Sequence, residues 1–581
     1  MISSNDVEEV QSIAKKRSRF LSRICELLIF VGTGYLLLIV YGDRPLVAEP
    51  WQWADDGLYL KHGEAFAQWL QGDSKQWLGP YDAIMLSKAP LFGVWIGLLH
   101  TLHIPLRLAE FGMLLGLPWL FRAAVRPMLY LSGWRLLPFM ILLIGLPFLP
   151  QEQRLLRSAL HVAVASGCLI SAVGMILRSR LSGASPVRWA ISTGFLFALS
   201  YLNREETIWL LPVVASALSA MFIGACAQRK WRTAMSVIVG VSFAFAVPVS
   251  LVVLLNYQAY GIAVTTLRRA PAFTKAHQVM TSLEPDGRER YVPITTATRL
   301  KAYSLSPTFS RLQTYLEGSA SDPIATNSGH LALNGRAEGT REFFVSNFEF
   351  VLREAAFAAG AKTASSSEDM FETIRMELDA CIEAGKFTSG NHGPALMAAA
   401  MPGDNLEILK FSVVSLKMLY TLKGMVYPQS GFSSGLSKDL KRMEKICHTH
   451  VAPTQTMAPV KPQWPNFKIR SVLFYVFSKF QAAIYLIGTL TVVVYAFLVV
   501  VRHRSNPVYW ERGFAGLVLC GSLFAFSLAM SVVNVLGFPI LQYAVTYNCF
   551  GFIPLSVLGA FGLALLLAWV PPCVSNGTPK K

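Results

Sequence analysis

The stretch TAMSVIVGVSFAFAVPVSLVVLLN, residues 233–256, decides the fold class. It carries no charged side chain, and it exceeds the roughly 20 residues that a helix needs to cross the hydrocarbon core of a bilayer. It therefore predicts a membrane-spanning helix. Similar apolar runs lie at 24–40, 89–103, 106–121, 136–149, 155–177, 187–202, 207–227, 471–501, 512–536 and 545–571.

The composition agrees with a chain of many spans. Of 581 residues, 53% are hydrophobic and 15% are charged, whereas a typical soluble chain is about 25% charged. The 52 Lys and Arg exceed the 35 Asp and Glu by 17. We assign this excess to cytoplasmic loops that set topology, and to contact with anionic membrane lipids, rather than to nucleic-acid binding.

Charge and hydropathy divide the chain into three predicted parts. Residues 1–256 form an N-terminal transmembrane module, 257–470 an extracytoplasmic and mostly helical domain, and 471–581 a C-terminal transmembrane module. The fold class is thus a polytopic α-helical membrane protein with about 10–12 spans of the usual length. Both termini are expected in the cytoplasm, the side to which basic clusters point.

The runs at 89–103, 106–121 and 136–149 are short for spans and are interrupted or flanked by prolines. Broken or re-entrant helices are one interpretation, because irregular backbone is tolerated at membrane depth where protein covers it. A cytoplasmic N-terminus requires that 89–121 make one net crossing. The topology of that segment stays open.

The first outer loop, residues 42–88, carries the most informative polar residues. Leu58, His62 and Phe66 fall on one helical face, which predicts a helix lying along the membrane surface. Asp55 and Asp56 precede this face. Either they cap the helix, or one of them accepts the proton of an acceptor hydroxyl at the membrane surface. Both roles fit if Asp56 caps and Asp55 is catalytic.

Several basic residues are predicted to lie at the same outer membrane surface as this loop, where they suit the binding of an anion. Lys88 lies just before Pro90, which opens a helix, and it either snorkels to the interface or contacts a phosphate. Arg154, Arg157 and His161 are spaced to share one helical face. They form either an interfacial collar or a clamp for a lipid phosphate, since guanidinium forks suit phosphate oxygens.

The sequence NREE, residues 203–206, is charged and stands between two apolar runs. It is either a plain outer turn or a functional pair of Arg204 and Glu205, because charge close to hydrocarbon is costly unless it is paired. His448 and His450 lack a carboxylate companion, so no metal site is predicted there. The chain has no Walker A loop and no HExxH motif, which argues against a nucleotide-driven pump.

With these motifs the chain resembles the GT-C superfamily of membrane glycosyltransferases, especially the branch of protein mannosyltransferases and aminoarabinose transferases. WADDGLY at 53–59 is similar to the acidic element of their first outer loop, and SKAPLF at 87–92 to the element that opens the next span. LNREETIWLLP at 202–212 is similar to a charged turn in bacterial members. The chain departs from the pattern in having adjacent Asp55 and Asp56 rather than Asp-x-Asp, which argues against metal dependence. No cofactor is firmly predicted, and a divalent metal ion is the disfavoured alternative.

The resemblance implies transfer of a sugar from a polyprenyl-phosphate donor to an acceptor at the outer face of a bacterial plasma membrane. Asp55 would be the general base and Asp56 a second carboxylate. The glycan, lipid or protein acceptor stays open. A flippase for a lipid-linked saccharide and a non-catalytic scaffold of an envelope-polysaccharide assembly are the alternatives. The residues expected to bind substrate are Lys88, Arg154, Arg157, His161, Arg204 and Glu205.

Overall fold

The computed structural model of the chain describes residues 4–38, 45–49, 55–129, 131, 133–143, 154–179, 185–283, 291–325, 342–388, 390, 404–421, 431–457, 467–502, 507–536 and 552–569. Within these residues every named element is a helix. Isolated bridges pair Leu46 with Val451 and Ser433 with Thr454. The predicted α-helical class is confirmed.

The first part of the chain supplies nine α-helices within the described residues. They are α1 Ser4–Leu37, α2 Asp55–Leu70, α3 Leu91–Thr101, α4 Leu106–Val125, α5 Leu137–Leu143, α6 Ser158–Ile176, α7 Val187–Asn203, α8 Leu211–Ala227 and α9 Trp231–Tyr260. Short 3-10 helices lie at Gly133–Leu136, Glu205–Leu210, Leu267–Arg269 and Ser319–Ser321.

The remaining helices are mostly short in the polar region and long after it. They are α10 Pro271–Ser282, α11 Thr296–Leu305, α12 Pro307–Ser310, α13 Gln313–Leu316, α14 Asp322–Ala325, α15 Val345–Ala358, α16 Ala364–Glu383, α17 Asp404–Thr421, α18 Ser437–Cys447, α19 Phe467–Arg502, α20 Pro507–Leu536 and α21 Phe552–Trp569.

Six described helices are long and apolar enough to cross a bilayer, which makes the chain a multi-pass membrane protein. They cover Leu106–Val125, Ser158–Ile176, Thr207–Ala227, Trp231–Tyr260, Ser478–Val501 and Tyr509–Val533. Shorter apolar helices lie at Leu91–Thr101, Gly133–Leu143 and Phe552–Ala568. These helices account for much of the predicted bundle.

The central helix of the bundle is α6. Every residue from Ser158 to Ile176 is buried, and α4, α7, α8 and α21 pack around it. A helix that is apolar on all sides is expected to be covered on all sides. Arg157, at the N-terminal end of α6, is buried as well.

Glycines allow close crossings between the spanning helices. A Cβ added at Gly194 would lie 2.2 Å from the carbonyl oxygen of Val241 on α9, and one at Gly562 would lie 2.0 Å from that of Gly488 on α19. In a bilayer, helices associate through close packing of this kind, because lipid tails are as apolar as the side chains.

The polar region forms a second apolar cluster beside the spans. Phe273, Phe348 and Phe371 are fully buried in it, and Trp77 and Leu78 of the first outer loop join it. The loop is also bonded to the end of α9, because Asn256 Oδ1 accepts from Trp77 Nε1 at 3.1 Å. The first outer loop is thus held between the spans and the polar region.

Two later segments of the polar region pack elsewhere. Helix α17 contacts α20, with the Ser412 and Ser531 hydroxyls 3.0 Å apart, and so it lies against the spanning bundle. Helix α18 packs against α2 and α3. The segment 431–457 therefore covers the first outer loop.

Candidate functional site

An ion pair between Asp55 and Lys88 is the centre of the candidate site. Asp55 is the first residue of α2, and its Oδ1 lies 3.2 Å from Lys88 Nζ. The Asp55 side chain is 33% exposed and that of Lys88 is 12% exposed. The sequence predicted both residues for the site, and the structure brings them together.

The crossing of α2 and α3 fixes the direction of this pair. A Cβ added at Gly63 would lie 2.6 Å from Ile96 Cγ2, and one at Gly97 would lie 2.4 Å from the Gly63 carbonyl oxygen. The buried His62 ring adds a hydrogen bond between Nε2 and the Met85 carbonyl oxygen at 2.7 Å. Lys88 follows Met85 by three residues. Helix α2 therefore carries Asp55 and is also bonded to the segment that carries Lys88.

Two segments meet at Lys88. The Leu86 carbonyl oxygen accepts a hydrogen bond from the Leu267 amide at 2.8 Å, which brings Arg268 close. Lys88 Nζ lies 5.3 Å from the centroid of the Phe350 ring, and the Arg268 guanidinium lies 5.5 Å from the same centroid. Arg268 also forms an ion pair with the buried Glu349. Two cations therefore lie near the same aromatic ring.

Asp55 is held in its ionised form by surrounding cations. Burial alone would raise its pKa, but the charges of Lys88, Arg157 and Arg268 outweigh burial and lower the pKa of the Asp55 carboxyl below its ordinary value. Asp55 is thus a carboxylate in a field of three positive charges, with part of its surface open.

Asp56 has different partners, although it is the next residue. Its carboxylate is fully buried and accepts from Arg154 Nη2 at 2.7 Å and from Arg154 Nε at 3.1 Å. The Glu49 amide donates to it at 3.3 Å, and Glu49 Oε2 lies 2.8 Å from Arg154 Nη1. Burial raises the pKa of Asp56 to about 6 despite the Arg154 charge. Asp56 therefore joins α2 to two other segments, beyond the capping role predicted for it.

The predicted helical face of Arg154, Arg157 and His161 is wrong in one respect. Helix α6 begins at Ser158, so Arg154 lies in the turn before the helix and is free to bend toward Asp56. Arg157 is the N-cap residue and His161 is buried in the first turns of α6.

Arg157 is fixed against the C-terminal end of α7. Its Nη1 donates to the Asn203 carbonyl oxygen at 2.9 Å, and Asn203 Nδ2 donates to the Arg157 carbonyl oxygen at 3.0 Å. Arg204 follows, buried, in an extended conformation that ends α7. The side chain of Glu205 lies outside the part that the structure describes, so its predicted role stays a prediction.

Sequence reasoning missed Arg268 and Arg353. Arg353 is buried on α15, donates to the Leu267 carbonyl oxygen and lies 3.6 Å from the centroid of the Phe273 ring. Burial lowers its pKa to about 10. The sequence did contain a signal for Arg268. Arg268 and Arg269 follow the end of α9 that is predicted to lie outside, whereas Lys and Arg are usually enriched in cytoplasmic loops.

Among the residues that the structure describes, no three His, Cys, Asp or Glu side chains form a group that could hold a metal ion. Asp55 and Asp56 pair with different cations, Lys88 and Arg154 respectively. The chemistry that this arrangement supports is that of a carboxylate beside several fixed cations: recognition of an anion next to a group that accepts a proton.

No family model, no curated protein and no solved structure matches this chain. The likeness to GT-C enzymes therefore rests on the short elements at 53–59, 87–92 and 202–212. What the helices establish is a multi-pass α-helical membrane protein.

Proposed function

We propose that the chain is a membrane glycosyltransferase of the GT-C type, which moves a sugar from a polyprenyl-phosphate donor to an acceptor at the outer face of the membrane. The observation that carries the proposal is the 3.2 Å contact of Asp55 with Lys88, within the field of Arg157 and Arg268. A phosphate-linked donor and a hydroxyl acceptor need this combination of groups.

Asp55 is the proposed base. The acceptor oxygen attacks the anomeric carbon, the bond from that carbon to the phosphate oxygen breaks, and the acceptor proton passes to the Asp55 carboxylate. The phosphate leaves with the electron pair of the broken bond, and Lys88, Arg157 and Arg268 stabilise its negative charge. The bilayer supplies the donor, so no soluble nucleotide sugar takes part.

Donor binding itself prepares the base. A phosphate beside Lys88 competes with Asp55 for the ammonium and offsets the positive field of the two arginines. A carboxylate that loses cationic partners has a higher pKa. Asp55 then becomes a better proton acceptor when the donor is present, and it stays ionised when the donor is absent.

Asp56 is a positioning residue in this proposal, because its contacts with Arg154 and Glu49 hold the start of α2. The predicted phosphate contact of Arg154 requires the guanidinium to leave two carboxylates, so Arg157 and Arg268 are the stronger candidates. His161, Arg204 and Glu205 remain expected around the donor. A bundle of about 10–12 spans of ordinary length, with much of 257–470 outside the cytoplasm, completes the proposed architecture.

Conversion of a lipid-linked sugar tests the proposal. Purified protein in liposomes is supplied with polyprenyl phosphates that carry radiolabelled sugars, together with delipidated envelope material as acceptor. We expect label to leave the lipid carrier and enter the acceptor fraction. Transfer of the intact labelled lipid between leaflets would identify a flippase instead, and neither event would favour a scaffold.

A further inference from the structure

A group of three histidines lies outside the proposed catalytic site. His100 is in the last turn of α3, His103 follows the helix, and His448 is the C-cap residue of α18. His100 Nδ1 and His448 Nε2 are 3.2 Å apart. The ring of His448 lies 5.2 Å from that of His100 and 5.4 Å from that of His103, measured between centroids.

The nitrogen–nitrogen distance suits a shared metal ion. Zinc binds histidine nitrogens at about 2.0–2.1 Å in a tetrahedral arrangement, which places two ligand nitrogens about 3.3–3.4 Å apart. The observed 3.2 Å falls within about 0.2 Å of that spacing. A hydrogen bond between two neutral rings has a similar length, and this is the alternative that an experiment must separate.

The backbone supports a fixed placement of two of the rings. His103 has φ 55° and His448 has φ 47°, the left-handed region that residues with a side chain adopt uncommonly. Such conformations persist where the surrounding structure over-determines them, and they concentrate at functional sites. Both of these positions direct a histidine to the same place between α3 and α18.

We propose that His100 and His448 bind one Zn²⁺ ion through Nδ1 and Nε2, respectively. Two protein ligands are assigned because no group of three is arranged around a common point within the described residues. Water would complete the coordination shell. Glu64 and Lys445 both face His100 with opposite charges, so their fields offset one another at the ion.

The ion would clamp α18 onto α3, next to the first outer loop. The same contact surface contains the ion pair of Arg442 with Glu64 and the hydrogen bond from the Leu46 amide to the His450 carbonyl oxygen at 2.8 Å. Residues 45–49 include Glu49, a partner of Arg154. The inference is independent of the proposed sugar transfer, since a zinc clamp would hold this loop whatever the protein does.

Zinc titration of the full-length protein tests the inference. The protein is purified in detergent without a polyhistidine tag, stripped with EDTA and treated with N-ethylmaleimide to block accessible thiols such as that of Cys226, which is exposed. Calorimetry with Zn²⁺ alone should show one saturable site. His100→Ala and His448→Ala should each weaken binding by at least the about 10–100-fold that loss of an outer-shell partner causes.

His450→Ala is the matched control, because His450 is two residues from His448 but pairs with Glu444 at 2.6 Å. It should bind Zn²⁺ as the wild type does. Equal binding by the wild type and both test variants would overturn the site, and so would an absence of binding by the wild type. Unchanged gel-filtration profiles show that the variants are folded, and Zn²⁺ should raise the melting temperature of the wild type but not of His448→Ala.

Discussion

Asp55 and Asp56 are neighbours in the chain, yet their carboxylates serve different contacts. Asp55 is partly exposed and faces Lys88, whereas Asp56 is fully buried against Arg154. Helix geometry explains the division, because adjacent side chains on a helix point about 100° apart. One carboxylate remains open to a substrate, and the other fastens the helix on which both stand.

Replacement of Lys88 by alanine should weaken donor binding. One hydrogen bond to a charged group contributes about 1.5–3 kcal/mol, so a polyprenyl-phosphate sugar should bind about tenfold to hundredfold less tightly. The measurement is binding of radiolabelled donor to protein in nanodiscs. Lys61→Ala is the control, since Lys61 is 54% exposed and its Nζ lies 3.9 Å from Asp82 Oδ2. Equal affinities for the two variants would remove Lys88 from the anion site.

The protonation of Asp56 should make stability depend on pH. Its pKa is about 6 in the folded protein, above the ordinary 3.8, so between these values the folded state holds a proton that the unfolded chain has lost. The contribution of Asp56 to the free energy of unfolding therefore falls as pH rises from about 4 to 6, by about 1.4 kcal/mol for each unit of pKa difference.

Thermal unfolding in detergent checks that sign. The melting temperature of the wild type should fall between pH 4.5 and 6.5 relative to that of Asp56→Asn, which cannot titrate there. Asp82→Asn, at a carboxylate that is 39% exposed, should follow the wild type. Parallel curves for the wild type and Asp56→Asn would contradict the raised pKa.

The sequence indicated the residue types of the site but not their contacts. Asp55 was predicted as a carboxylate that takes a proton at the membrane surface, and Lys88 as a phosphate contact near a helix N-terminus. The pairing of Arg154 with Asp56 was missed, since a regular spacing of charges suggested a helix that in fact begins at Ser158. Arg268 was missed because its contact with the site depends on long-range packing of the polar region.

At the scale of helices, the α2–α3 crossing determines the geometry of the site. Glycines on each helix lie against the backbone or side chains of the other, so the two backbones approach closely. A shift of one helix would separate Asp55 on α2 from Lys88, which leads into α3. The ion pair therefore depends on residues that carry no charge.

Gly97→Ala tests this dependence. The added Cβ would lie 2.4 Å from the Gly63 carbonyl oxygen and 3.0 Å from Phe66 Cδ1, and overpacking of this kind costs about 1–3 kcal/mol. We expect a lower melting temperature and weaker donor binding. Gly112→Ala on the next helix, α4, meets nothing within 4 Å and should change neither. Normal donor binding by Gly97→Ala would show that the crossing is not needed.

Hydropathy predicted the long helices well, because the apolar character of a span follows from its surroundings. It gave no indication that α17 packs with the spans. Asp404, Glu407 and Lys410 lower the apolar character of that helix, and only its contacts with α20 reveal its place. The covering of α2 and α3 by 431–457 was likewise hidden, since it joins segments almost 400 residues apart in sequence, as in the bond from the Ala48 amide to Ser433 Oγ.

At the scale of the whole molecule, the account requires the candidate site to face outward. In a cysteine-free background, Ser365→Cys in the polar region and Lys230→Cys between α8 and α9 are both at exposed positions. An impermeant thiol reagent should label Ser365→Cys in intact cells and Lys230→Cys only after permeabilisation. The reverse pattern would invert the proposed topology and place the site in the cytoplasm.

The central claim is that Asp55 takes the acceptor proton during sugar transfer. Its most direct test is the turnover of purified Asp55→Asn in liposomes, beside Asp82→Asn from the same loop. A positioned base contributes about 10²–10⁴-fold in rate, and Asn keeps the shape of the Asp side chain while it removes the base. Asp55→Asn should therefore bind donor and lose turnover by about that factor, while Asp82→Asn stays active. Near-normal transfer by Asp55→Asn would contradict the account and leave Asp55 a structural residue at the start of α2.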